Sequence, residues 1–140
     1  MRGYLTTHLL EVAKAFPDTE FDCIVTPYFR WRFADWRQNS TDLYALHQFV
    51  TRFLVDSGVK NIRVYGYENE TFLDDIANFK DVTHYSPAIN TILLQGIASG
   101  KNLLTKENVK SYLSKCEKLA REYDIAALNR QFQLMVKAVK

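Results

Sequence analysis

The chain has 140 residues, 47% of them hydrophobic and 14% aromatic, with a formal net charge of +2. That length suits a single domain with a real core, and the apolar content excludes a disordered chain. No run is long and apolar enough for a transmembrane helix, and the N-terminus lacks the basic, apolar, small-residue order of a secretory signal.

Charge is unevenly spread. Residues 1–100 carry nine basic and twelve acidic side chains, residues 101–140 nine basic and four acidic. A basic helical tail can meet nucleic acid or anionic lipid, but these lysines alternate with acids around the helices. A solvated face is the reading adopted, and no nucleic-acid partner is expected.

Leu5, Leu9, Val12 and Phe16 recur at helical spacing, and Pro17-Asp18 ends that helix. Phe21 to Val25 reads as a buried strand that stops at Thr26-Pro27. The segment Tyr28 to Arg37 interleaves aromatics with arginines, a mixture able to stack on bases or sugars. It reads as a cover over the carboxyl end of the sheet, where ligands collect in open α/β folds. Pro27, Tyr28 and Trp31 are therefore candidate pocket walls, with Tyr85 on the later loop.

Ser40-Thr41 caps a helix with inner face Leu43, Leu46, Val50, Phe53 and Leu54, closed by Ser57-Gly58. Asn61 to Tyr65 is a second strand. Strand, helix, strand implies parallel pairing and an α/β class. The remainder reads as helices over roughly 87–98, 105–123 and 125–139, the last with Ile125, Leu128, Phe132, Met135 and Val139 as a seam. The expected fold is a partial three-layer parallel sheet with helices on both faces. Residues 1–104 form the α/β part, and 105–140 a helical extension packed on the same domain. Two strands make a poor sheet, so an N-terminal half or a second chain is expected to complete it.

The most informative stretch is Asp81-Val82-Thr83-His84-Tyr85-Ser86-Pro87. A carboxylate three residues before an imidazole can hold one ring nitrogen and leave the other free to accept a proton. The spacing alone is common, and its setting adds the weight. Ser86 suits an N-cap, Pro87 the first helical position, and Ile89, Ile92, Leu93 and Ile97 form an apolar stripe behind them.

Residues 8 to 128 resemble the C-terminal half of bacterial SGNH/GDSL-type hydrolases. The similar branch is that of envelope proteins related to polysaccharide O-acetyl transfer and teichoic acid alanylation. The likeness rests on His8-Leu9-Leu10 with Pro17 to Phe21, on Val25-Thr26-Pro27-Tyr28, on Phe79 to Asn90 and on Gly100 to Asn108. The resemblance implies a flavodoxin-like fold, His84 as general base, Asp81 as its orienting partner, a glycan acyl ester as substrate, no cofactor, and an envelope or periplasmic location. The family's Gly-Asp-Ser nucleophile block and its oxyanion Gly and Asn are absent from these residues. The chain alone is therefore expected to be nearly inactive.

Other groups weigh less. Ser40, Ser57, Ser86, Ser99, Ser111 and Ser114 sit in cap, turn or helix settings. His8 and His47 read as partly buried structural histidines, and Cys23 and Cys116 as free buried thiols. No spacing typical of zinc accompanies His84, and no glycine motif supports a nucleotide. Two rival readings remain, a non-catalytic interaction module and a truncated remnant of such a hydrolase.

Overall fold

The structure, a computed structural model, describes residues 1–130. Elements run in the order α1 (Arg2–Leu5), a π-helical stretch (Thr6–Leu10), α2 (Glu11–Ala15), β1 (Phe21–Val25), α3 (Arg30–Asn39), α4 (Thr41–Asp56) and β2 (Ile62–Gly66). Two single-turn 3-10 helices (Thr71–Asp74 and Ile76–Asn78) follow, then α5 (Pro87–Ser99), β3 (Leu103–Leu104) and α6 (Val109–Glu122). Helix resumes at Ile125. Phe132, Met135 and Val139 of the expected seam lie outside the described residues.

The fold is α/β, built on a small mixed sheet of order β1-β2-β3. β1 and β2 are parallel, with Phe21 opposite Ile62 and Val25 opposite Gly66. The third strand is antiparallel, pairing Leu104 with Val64. Gly100 makes it possible: its left-handed φ of 68° ends α5 and turns the chain back towards β2, a conformation glycine adopts without a steric penalty. Two residues carry too little periodicity to be read as a strand beforehand.

Neighbouring residues of β2 point to opposite faces, as strand geometry requires. Val64 joins Leu54 of α4 and Tyr112, Leu113 and Cys116 of α6 in one cluster, while Tyr65 packs with Ile89 and Leu93 of α5 in another. A third cluster gathers Phe29, Phe33, Tyr44, Leu73 and Phe79 under the long loop after β2. Helix α6 thus belongs to the core. Asn61 fastens the first turn, its Nδ2 donating to the carbonyls of Ala13, Phe16 and Thr19 at 2.9, 3.0 and 2.8 Å.

Two apolar faces differ from the expected ones. The five-residue turn at Thr6–Leu10 rotates the first helix, so Leu10 and Ala13 are buried while Val12 and Phe16 face outward. In α4 Leu54 is buried and Val50 and Phe53 pack against the same core cluster as expected, but Tyr44 and Thr51 are also buried, and Leu43 and Leu46 stay exposed. Among the described residues no helix is long and apolar enough to cross a membrane.

Candidate functional site

The loop 75–86 is built to hold a tight turn at its tip. Phe79 bridges Tyr85 across it, Lys80 N donates to the His84 carbonyl at 2.7 Å, and Ser86 N donates to the Asn78 carbonyl at 2.7 Å. The aromatic cluster anchors its base, with the Phe79 ring 5.7 Å from that of Phe29 and Tyr85 packed alongside.

At the tip, Asp81 collects donors. Its Oδ1 accepts from Thr83 N at 2.8 Å, Thr83 Oγ1 at 2.9 Å and His84 N at 2.9 Å, and its Oδ2 lies 2.7 Å from His84 Nδ1. The Thr83 N–H, the imidazole, the His84 N–H and the Thr83 hydroxyl, in that order, hold the carboxyl well below the usual carboxylate range. An ionised carboxylate only accepts, so Nδ1 is the donor and Nε2 of the neutral ring keeps its lone pair. The geometry can therefore present a base at Nε2. The side chains are 74% and 49% exposed, so the pair stands on open surface.

Among the described residues no hydroxyl or thiol is hydrogen-bonded to Nε2 of His84. Ser86 occupies the N-cap position of α5 with Pro87 beside it, but its hydroxyl makes no capping bond; the cap expected from the sequence is one of position only. No cluster of three His, Cys, Asp or Glu side chains converges among the described residues. Of the candidate walls, Tyr28 lines a cavity of about 320 Å³ beside β1. Pro27 is fully buried, and Trp31 and Tyr85 pack into the aromatic cluster. His8, within the π turn, is exposed, its ring tilted against that of Tyr4 with centroids 4.4 Å apart; the partly buried setting expected for it does not hold.

A second polar cluster was not anticipated. Glu68, two residues beyond the end of β2, is 1% exposed, with Oε1 3.2 Å from the Tyr44 hydroxyl and Oε2 2.8 Å from His47 Nε2. Arg30 is equally buried: Nε bonds Asp74 Oδ1 at 2.7 Å, Nη2 bonds the Glu70 carbonyl at 2.7 Å, and Nη1 bonds the Glu68 carbonyl. This burial, and then the Glu68 charge, push the Tyr44 phenol and the Cys116 thiol upward. The available signal was position: Glu68 lies two residues beyond the carboxyl end of a strand of the parallel pair, where α/β folds gather ligands. No family model, curated protein or solved structure matches the chain.

Proposed function

We propose that this chain is the carboxyl-terminal part of an SGNH-like esterase or O-acyltransferase acting on acyl esters of a glycan. The observation that carries the reading is the 2.7 Å contact between Asp81 Oδ2 and His84 Nδ1, which leaves Nε2 free. The parallel pairing of β1 with β2 supports a larger three-layer parallel sheet, and β1 has no strand on its outer side among the described residues. An N-terminal half or second chain would pair there and bring the serine and the oxyanion donors.

In the complete site His84 Nε2 takes the serine proton as Oγ attacks the acyl carbon. Asp81 steadies the imidazolium, and the proton then passes to the departing sugar hydroxyl. Water or an acceptor alcohol next receives the acyl group by the same route reversed. No cofactor enters. The glycan rests on the resemblance, since a fold does not specify a substrate.

The test is acetyl ester hydrolysis by the chain co-expressed with a Gly-Asp-Ser-bearing segment, for the wild type, His84→Ala and Asp81→Asn. Wild type should turn over, and His84→Ala should lose at least about a thousandfold. Equal rates in all three remove the pair from the mechanism. Apolar side chains left open beside β1, including Ile24, Leu43 and Leu46, favour a second reading, a non-catalytic interaction module or remnant that binds a partner through this face. Absence of turnover with every such segment would favour it.

A further inference from the structure

The cavity beside β1 contains a histidine that the hydrolase reading does not use. Its walls are Cys23 and Val25 from β1, Tyr28, and Leu46, His47 and Val50 from α4, with Trp36 at the side. The lining is largely apolar. Its polar members are Thr26, Thr51 and His47, and the Glu68 carboxylate behind His47 selects which ring nitrogen faces it.

Glu68 as a carboxylate accepts two bonds, from the Tyr44 hydroxyl and from His47 Nε2, so Nε2 is a donor and Nδ1 of the neutral ring keeps its lone pair. Thr51, one turn further along α4, donates its hydroxyl to the His47 carbonyl at 3.2 Å. His47 Nδ1 has no hydrogen-bond partner among the described residues, nor is it one of the sealed polar atoms left unpaired, which are Arg32 Nε, Gln48 Nε2 and Asn69 Oδ1. It is therefore not completely sealed. The side chain is only 13% exposed, and the residue forms part of the cavity wall.

We propose that this cavity binds a small, uncharged, mostly apolar molecule bearing one hydroxyl, with His47 Nδ1 as the acceptor for that hydroxyl. A pocket of about 320 Å³ has the size and lining of a small-molecule site, in which a few polar groups set orientation. The buried pair with Glu68 holds the ring in one tautomer and one rotation, as an outer carboxylate does for a working imidazole. The negative charge behind the ring disfavours an anion. This inference stands without the hydrolase reading and does not involve His84.

The test uses the full chain and three probes of matched size: 4-propylphenol, its methyl ether 4-propylanisole, and 4-propylbenzoate. Affinity is read by calorimetry and location by alkylation of Cys23, a free thiol on the cavity wall, while Cys116 is sealed in the core. The phenol should bind one to one and slow Cys23 alkylation. The ether should bind about tenfold more weakly, the loss of one hydrogen bond, and the benzoate more weakly still. Leu46→Trp, which enlarges an exposed side chain of the cavity wall, should abolish binding with the circular dichroism unchanged. Equal affinity for phenol and ether overturns the role of His47. Failure of the phenol to bind, or binding that leaves Cys23 as reactive as before, overturns the site.

Discussion

Replacing Arg30 by Met tests how the loop after β2 is held. The side chain is 2% exposed and ties three groups together: Asp74 at 2.7 Å, the Glu70 carbonyl at 2.7 Å and the Glu68 carbonyl. Methionine keeps much of the apolar stem and removes every donor. Each carbonyl left without a partner in the interior costs about 1–3 kcal/mol, and Asp74, 48% exposed, recovers its hydration at little expense. The expected loss is about 3–4 kcal/mol, within the range for breaking a buried charged contact. Urea unfolding followed by circular dichroism should show a midpoint lower by roughly 2 M at an ordinary slope for this size. Asp74→Asn should lose only about 1 kcal/mol, since its carboxylate is half in water. A loss below about 1 kcal/mol for Arg30→Met, or equal losses for the two variants, would refute the claim that the buried carbonyls dominate.

Asp81 is held ionised in the fold, so its contribution is present above the unfolded carboxylate pKa of about 4 and is lost as pH falls towards the depressed folded value. The gap in melting temperature between wild type and Asp81→Asn should be steady from pH 7 to 5 and narrow progressively from pH 4 to 3. A gap that stays constant or widens over that acid range contradicts the assigned carboxylate. Gly66→Ala would place a Cβ 2.5 Å from the Tyr112 ring and 2.9 Å from Leu104. Because Tyr112 also accepts from Glu68 N at 3.0 Å, the ring cannot retreat freely, and a loss of about 1–3 kcal/mol at unchanged slope is expected in the same urea assay. Alanine tolerated there without loss would mean that the Tyr112 contact yields.

The class of fold was legible because β1 and β2 are short apolar runs with helix-forming sequence between them, which folds as α3 and α4. The turn at Asp81 was legible too, since an Asp three residues before a His needs only local chain geometry to close on it. Exposure was not legible: whether His84 stands in a cleft depends on what covers the loop, which no local pattern encodes. Sequence spacing also misplaced the inner face of the first helix, where a π turn intervenes, and the first turns of α4, where Leu43 and Leu46 stay exposed and Tyr44 is buried. The inward turn of Arg30 and the pairing of Glu68 with His47 join residues far apart in the chain, and a basic-aromatic segment gives no sign of which arginine is sealed inside.

The central claim concerns a single proton. Long-range proton–nitrogen NMR of His84 above neutral pH reads directly which ring nitrogen carries it. A proton on Nδ1 and a lone pair on Nε2, reverting to a mixture in Asp81→Asn, is the predicted result. A proton predominantly on Nε2 in the wild-type chain would leave no free base at that atom and would contradict the account.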